Sequence, residues 1–215
     1  MVRTARKIVY DEIDEYIGGL ANRGDPALQE VETQGVREEW PIVGPAEGSL
    51  LHILARSIRA TRILELGTAI GYSGTWLARA LPEGGELVTV EHRSETAAIA
   101  RRNFEKTGVA PKVKVFVGHA QSVLRDLKGP FDLIFNDIDK AGYPEALDPC
   151  IKRLRIGGLL VTDNVLWSGE VARRDKSQET AAIRTYNERL AKDPRMIASI
   201  VPLRDGVSIA LKVRD

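Results

Sequence analysis

The stretch FDLIFNDIDK, residues 131–140, is the part of the chain that decides the fold. Its first half, residues 131–135, is a short apolar run, which is typical of a strand buried on both faces of a sheet. Asp137 and Asp139 follow almost directly. In an open parallel sheet, ligands bind beyond the carboxyl ends of the strands. The stretch therefore predicts a buried parallel strand that brings polar side chains to a ligand site.

A second stretch has the same arrangement. Residues 159–162 predict another buried strand, and Asp163 and Asn164 follow it. Carboxylate and amide oxygens are hard ligands that suit Mg²⁺, and also Mn²⁺ or Ca²⁺. We therefore predict that these two residues and Asp137 hold a divalent cation, most readily Mg²⁺. Lys140 would lie one turn beyond Asp137, where it can help turn an acidic hydroxyl into a nucleophile.

Around these stretches the chain alternates between predicted strands and helices. The predicted strands span residues 63–66, 87–91, 113–118, 131–135, 159–162, 197–202 and 207–213. The predicted helices span residues 47–60, 73–81, 94–106, 121–127, 144–154 and 178–191. Such alternation favours a parallel sheet covered on both faces, and the turn Arg204-Asp205-Gly206 favours an antiparallel hairpin at the end.

We therefore predict an α/β fold. It has a seven-stranded, mostly parallel sheet with helices on both faces, a C-terminal antiparallel hairpin and an N-terminal helical extension. No linker divides the chain, so residues 1–215 are expected to form one domain, with the extension at 1–60 and the core at 61–215.

The composition limits the partners and the location. With 31 basic and 30 acidic residues, the formal net charge is +1, which gives no electrostatic reason to expect nucleic acid or an anionic membrane as a partner. No apolar run approaches the ~20 residues that span a bilayer. The basic residues 1–7 are followed by acids and not by an apolar signal core. A single cysteine, Cys150, excludes an internal disulfide and suits a cytoplasmic location.

The segment ILELGTAIGYSG, residues 63–74, predicts a strand, a glycine turn and the start of a helix. Glu91 ends the next strand, and an acid there commonly bonds ribose hydroxyls. The dinucleotide fingerprint fails, because Ala69 stands where its second glycine is required. We expect Glu65 to point into the cofactor crevice, where it would repel a pyrophosphate. S-adenosylmethionine has cationic groups and no phosphate, so it suits Glu65, Glu91 and Asp139 better.

On these residues the chain resembles the cation-dependent class I O-methyltransferases, the group that contains catechol and caffeoyl-coenzyme A O-methyltransferases. The similarity runs from about residue 43 to residue 212. Residues 65–73 are similar to the family's cofactor loop, and residues 137–140 with Tyr143, together with residues 163–169, look like its two metal-site signatures. The resemblance implies a Rossmann-like fold, methyl transfer from S-adenosylmethionine to a small aromatic molecule with vicinal hydroxyls, and a homodimer.

The resemblance also implies roles for individual positions. The cation ligands would be Asp137, Asp163 and Asn164, and the general base for the acceptor hydroxyl would be Lys140. The cofactor contacts would be Val43, Glu65, Gly67, Ser73, Glu91, Ala120 and Asp139. The acceptor pocket would be bordered by Trp167, Ser168 and Asp205. Two positions depart from the family pattern, because Asn136 is normally apolar and Ile138 is usually a small residue.

Other functions stay open at this point. A nicotinamide-dependent oxidoreductase would share the sheet, although the failed fingerprint and Glu65 argue against it. A non-catalytic S-adenosylmethionine-binding protein would not need Lys140 together with the proposed cation ligands. A nucleic-acid methyltransferase is disfavoured by the near-neutral charge and by the lack of an Asn-Pro-Pro-aromatic motif. The structural alternative for Asp137 and Asp139 is capping of the next helix, since Asp is a common N-cap residue.

Overall fold

The computed structural model describes residues 10–21 and 25–215. The α-helices are α1 (Asp11–Leu20), α2 (Pro26–Arg37), α3 (Gly44–Ser57), α4 (Tyr72–Ala80), α5 (Ser94–Lys106), α6 (Ala120–Asp126), α7 (Tyr143–Arg153) and α8 (Gln178–Lys192). The strands are β1 (Arg62–Leu66), β2 (Glu86–Glu91), β3 (Val113–Val117), β4 (Phe131–Asn136), β5 (Leu154–Thr162), β6 (Met196–Val201) and β7 (Val207–Lys212). Short 3₁₀ turns span Ala110–Lys112, Lys140–Gly142 and Trp167–Ala172.

The N-terminal extension is helical over the residues that the structure describes, as α1, α2 and α3. The expected beginning of the extension, including the basic residues 1–7, lies outside the described residues. Within the described ranges, no helix is both long and apolar enough to cross a bilayer.

All seven strands form one sheet in the order β3-β2-β1-β4-β5-β7-β6. Strands β1 to β5 pair in parallel, whereas β7 runs antiparallel to both β5 and β6. The predicted α/β fold class is therefore confirmed. The strand order reverses between β1 and β4, and such a switch point is where doubly wound sheets open a crevice for ligands.

The central strands are buried on both faces, as their apolar runs predict. Ile63 of β1 and Phe135 of β4 face a core formed with α3, α4 and α5. Leu64 and Ile134 face the opposite core, formed with α6, α7 and α8. The rigid centre of the sheet therefore holds the ends of β1 and β4 side by side.

Two elements differ from the predicted bounds by more than one residue. Helix α3 begins at Gly44 and not at residue 47, because Pro45 fits the first turn of a helix, where its missing N–H is not needed. It ends at Ser57, and Arg59 follows in the left-handed region with φ +53°. Strand β5 begins at Leu154 and not at residue 159, because an irregular stretch with Gly157 at φ +78° precedes the regular pairing and hides the strand pattern.

Candidate active site at the carboxyl edge of the sheet

A cavity of about 290 Å³ opens at the carboxyl edge of the parallel strands. Because β7 runs antiparallel to β5, the turn between β6 and β7 reaches the same edge and contributes Arg204. The predicted site residues that line the cavity are Gly67, Glu91, Ala120, Asp137, Asp139, Lys140, Asp163 and Asn164. The others do not line it: Val43, Glu65, Ser73, Trp167, Ser168 and Asp205.

The glycine loop after β1 lies against the loop after β4. Gly67 has φ +100°, a conformation that favours glycine, and a Cβ at this position would overlap the carbonyl oxygen of Asp137. The N–H of Gly67 donates to the carbonyl oxygen of Val90 at 3.0 Å, and the N–H of Asp137 donates to that of Leu66 at 2.8 Å. Main-chain contacts therefore join the loop after β1 directly to the loop after β4.

Glu91, at the end of β2, presents a fixed carboxylate to the cavity. Its Oε2 accepts the N–H of Ala69 at 3.0 Å, and its Oε1 accepts the N–H of Arg93 at 3.0 Å. His92 Nδ1 lies 3.2 Å from the same Oε1. An ionised carboxylate offers about four acceptor positions, so Oε2 can still accept a hydroxyl such as that of a ribose.

Glu65 takes a different position from the one expected. It is fully buried, and its Oε1 accepts the hydroxyl of Ser73 at 2.6 Å while its Oε2 accepts that of Thr89 at 2.6 Å. Side chains alternate along β1, so Glu65 lies on the face covered by α4 and does not project into the cavity. Burial raises the pKa of Glu65 to about 7, against the effect of the two hydroxyl donors.

Val43 is also buried, immediately before α3, and its neighbour Ile42 lines the cavity. The cofactor contacts predicted for Val43, Glu65 and Ser73 therefore stay predictions.

Lys140 is bound to Asp137 at the cavity wall. Its Nζ donates to Asp137 Oδ1 at 2.8 Å and to the carbonyl oxygen of Ile138 at 3.3 Å. The side chain of Lys140 is 15% exposed. A group bound at Asp137 is therefore within reach of the Lys140 ammonium.

Asp163 is held by its own loop and by α7. Its Oδ1 accepts the N–H of Asn164 at 2.6 Å, and its main-chain carbonyl accepts the hydroxyl of Tyr143 at 2.9 Å. Burial raises the pKa of Asp163 to about 6, and the charge of Asp137 adds to the effect. Two carboxylates therefore meet where the positive charge is not enough to offset their burial.

The site contains an ion pair that the sequence analysis missed. Nη1 of Arg204 lies 3.0 Å from Oε2 of Glu47, which belongs to α3, and 3.9 Å from Oδ2 of Asp163. Glu47 is fully buried, and burial together with the charge of Asp163 raises its pKa well above the ordinary value. One signal was available: Glu47 lies four residues before Leu51, which places a charge on the apolar face of the helix.

The residues predicted to border the acceptor pocket form a small unit beside the cavity. Trp167 and Ser168 are both in the left-handed region, with φ +46° and +50°. The carboxylate of Asp205 accepts the N–H of Ser168, and the N–H of Leu166 donates to the carbonyl oxygen of Asp205 at 2.9 Å. The unit joins the loop after β5 to the turn before β7, and its role towards an acceptor stays a prediction.

The donor set at the cavity fits a hard divalent cation. Asp137, Asp163 and Asn164 offer oxygens only, and the raised pKa of Asp163 shows that added positive charge would be favourable there. Across residues 10–21 and 25–215, no three His, Cys, Asp or Glu side chains are arranged to hold a metal ion. A cation would therefore depend on two carboxylates, one amide, and oxygens from water or an acceptor.

Comparisons with known proteins agree with this geometry. A family profile described as O-methyltransferase matches residues 21–213. The catechol O-methyltransferase of Niastella koreensis is 34% identical over 215 residues, which cover 94% of this chain and 97% of that protein.

Two solved structures extend the match to the cofactor. The O-methyltransferase TomG of Streptomyces achromogenes, in complex with SAM, gives a TM-score of 0.87 at 34% identity over 95% of this chain and 97% of that one. An O-methyltransferase of Bacillus cereus, in complex with SAH, gives a TM-score of 0.86 at 33% identity over 94% and 97% of the two chains. With its sheet, glycine loop and cavity, the chain thus belongs to the family of S-adenosylmethionine-dependent O-methyltransferases.

Proposed function

We propose that this enzyme transfers the methyl group of S-adenosylmethionine to a hydroxyl of a catechol-like small molecule. A divalent cation would orient the acceptor, and Lys140 would be the general base. The observation that carries the proposal is that Asp137, Lys140 and Asp163–Asn164 line the same cavity as Glu91. The similarity to the catechol O-methyltransferase of Niastella koreensis supports a vicinal dihydroxy acceptor.

We assign the cofactor to the side of the cavity formed by β1, β2 and β3. Glu91 would accept the ribose hydroxyls on the free capacity of its Oε2. Asp139 would pair with the ammonium group, and Ala120 would lie beside the adenine ring. Gly67 would let the cofactor approach the main chain closely. By resemblance, Val43, Glu65 and Ser73 complete this set.

We assign the acceptor and the cation to the side formed by β4 and β5. A phenol is mostly protonated at neutral pH, since its reference pKa is about 10. A bound divalent cation would stabilise the phenolate by Lewis acidity. Asp137, Asp163 and Asn164 would hold that cation, and two neighbouring hydroxyls of an acceptor would fix the ring in one orientation. Trp167, Ser168 and Asp205 would border the ring.

Lys140 would take the hydroxyl proton at its Nζ. It can do so only in the neutral form, after the ammonium has lost a proton. Its hydrogen bond to Asp137 Oδ1 holds Nζ next to the proposed cation ligands. Alignment of both reactants across the Gly67–Asp137 contact would supply much of the remaining acceleration.

The test is methyl transfer from labelled S-adenosylmethionine to a panel of catechols, with Mg²⁺ and with EDTA. We expect product with Mg²⁺, none with EDTA, and a loss of at least about a hundredfold in Asp137→Asn, because the substitution removes a charged ligand. The matched control is Asp126→Asn, an exposed Asp at the end of α6, which should keep wild-type turnover.

Equal turnover in EDTA would refute the cation. Cation binding and cofactor binding without product on any catechol would refute the acceptor class and leave the family assignment intact. We also propose that residues 1–215 act as one domain, because no linker divides the chain, and that the enzyme is cytoplasmic, in keeping with its single cysteine. By resemblance, we propose that it is a homodimer, which light scattering on the purified protein tests.

A further inference from the structure

Asp137 and Asp163, the two carboxylates proposed as cation ligands, lie near different cationic side chains, and these two side chains are held differently. Lys140 Nζ is in direct contact with Asp137 Oδ1 at 2.8 Å. Arg204 Nη1 stays 3.9 Å from Asp163 Oδ2, beyond hydrogen-bond distance. Asp163 therefore keeps an oxygen that its neighbouring cation does not occupy.

The guanidinium of Arg204 is held back by groups on the N-terminal side of the cavity. Its Nη1 lies 3.0 Å from Glu47 Oε2, and its Nη2 donates to the carbonyl oxygen of Ile42 at 3.2 Å. Glu47 belongs to the first turn of α3, and Ile42 belongs to the segment that leads into this helix. The arginine thus spans from the turn before β7 to the N-terminal helices and is anchored at both ends.

The base of Arg204 is also fixed. Arg204 has φ +48°, and the N–H of Gly206 closes the turn on the carbonyl oxygen of Leu203 at 2.8 Å. The N–H of Val165 donates to the carbonyl oxygen of Gly206 at 2.9 Å, which ties the turn to the loop that carries Asp163. The turn therefore cannot carry the guanidinium away from Asp163 without breaking these bonds.

Glu47 is placed rigidly enough to act as the anchor. It is fully buried, and the next residue, Gly48, packs so closely on α4 that a Cβ would overlap the indole of Trp76. Oε1 of Glu47 is buried and has no hydrogen-bond partner among the described residues. The only group that the structure shows holding this carboxylate, within those residues, is the guanidinium of Arg204.

We propose that Glu47 is a positioning residue that holds the guanidinium of Arg204 off Asp163 and so leaves that carboxylate available to a divalent cation. The inference rests on the cation site proposed above. Without Glu47, the nearest carboxylate to the guanidinium is Asp163, and a direct pair there would compete with the cation for the same oxygen.

A different role for Glu47 makes an opposite forecast for a double variant. If Glu47 were itself a cation ligand, its loss would weaken cation binding whatever stands at position 204. If Glu47 acts through Arg204, its loss makes no difference in a protein that already lacks the guanidinium. Since removal of Arg204 takes away a positive charge in either case, each variant is compared with the protein that differs from it only at position 47: Glu47→Gln with the wild type, and Glu47→Gln/Arg204→Gln with Arg204→Gln.

The experiment is a Mn²⁺ titration followed by the EPR signal of free Mn²⁺, on the full-length protein without cofactor or acceptor. We expect Glu47→Gln to raise the Mn²⁺ dissociation constant about tenfold, because a positive charge would move against a buried carboxylate ligand. Glu47→Gln/Arg204→Gln should bind Mn²⁺ as tightly as Arg204→Gln.

The matched control is Glu86→Gln, which makes the same change at the start of β2, on the opposite edge of the sheet, where Glu86 pairs with Arg62 and Lys114. It should leave the Mn²⁺ dissociation constant unchanged. Thermal melts verify folding, and Glu47→Gln/Arg204→Met takes the place of the double variant if that one fails to fold.

Two outcomes overturn the inference while the cation site stands: an unchanged Glu47→Gln, or a double variant that binds Mn²⁺ more weakly than Arg204→Gln. A wild type that takes up no Mn²⁺ refutes the cation site itself, and the inference with it. A weakened Glu47→Gln, together with a double variant that matches Arg204→Gln, supports the inference.

Discussion

The acidic residues on the two sides of the cavity differ in how fully the chain itself supplies their hydrogen-bond and charge partners. On the side of β1 and β2, both oxygens of Glu91, which lines the cavity, and of Glu65, which lies behind it on the face covered by α4, accept hydrogen bonds from the chain itself. On the side of β4 and β5, Asp163 is buried near Asp137, and Glu47 has an oxygen without a partner among the described residues.

This difference indicates which side of the cavity has partners for its acidic residues before any ligand binds. On the first side, both oxygens of Glu65 and of Glu91 already accept hydrogen bonds from the chain. The second side concentrates negative charge that the chain only partly neutralises, through Lys140 and Arg204. Its electrostatic energy falls when positive charge is added.

The largest effect is expected at Lys140, where a substitution should lower methyl transfer without changing cofactor affinity. Lys140→Arg keeps the positive charge and a donor near Asp137, but an arginine does not release its proton. We expect methyl transfer to fall by about 10²- to 10⁴-fold, the usual contribution of a general base. Affinity for S-adenosylhomocysteine, measured by calorimetry, should stay at the wild-type value.

Retained turnover in Lys140→Arg would show that the residue supplies charge and not proton transfer. An equal loss of cofactor affinity would show that the two sides of the cavity are not independent.

The second prediction concerns Glu65 and the dependence of the free energy of unfolding on pH. The pKa of Glu65 is raised to about 7 in the folded protein, so the folded state binds the proton more tightly than the unfolded state does. The stability from this group is fully present below the unfolded pKa of about 4.5 and is lost as the pH rises through about 7. The shift corresponds to on the order of 3 kcal/mol.

Glu65→Gln does not titrate and should therefore lose less stability between pH 4.5 and pH 8 than the wild type. Urea unfolding at several pH values in EDTA measures the difference, and the contribution of Asp163 cancels because both proteins carry it. Parallel stability profiles for the two proteins would contradict the assignment to Glu65.

The smallest effect is expected at Tyr143, which supports the main chain at Asp163. Tyr143→Phe removes the hydroxyl that bonds the carbonyl of Asp163 at 2.9 Å and leaves a buried acceptor unpaired. We expect a loss of about 1–2 kcal/mol in unfolding free energy and weaker Mn²⁺ binding, with cofactor affinity unchanged. The control is Tyr16→Phe, because Tyr16 is 65% exposed on α1. A change in cofactor affinity without a change in Mn²⁺ binding would contradict this role of Tyr143.

The sequence predicted most of the fold because the decisive patterns are local. Residues 131–135 and 159–162 are apolar runs followed at once by Asp137 and Asp163, so strand and site could be predicted from one stretch. The beginning of β5 was not predicted, because Gly157 lies in an irregular stretch before the regular strand pairing.

The charged network could not be predicted in the same way. Glu47 and Arg204 are 157 residues apart, and only the antiparallel course of β7 brings them together. The direction of the Glu65 side chain was predicted wrongly, because its place near the end of β1 was taken to mean that it points into the crevice. The alternation of side chains along β1, which places Glu65 beneath α4, decides it instead.

The contact between Gly67 and the carbonyl oxygen of Asp137 has a consequence for how such an enzyme can change its acceptor. No side chain takes part in this contact, and a single added methyl group would force the two loops apart. In the arrangement proposed above, the main chain would therefore set the spacing between methyl donor and acceptor. Side chains that border the acceptor would then be exchangeable without a change in that spacing.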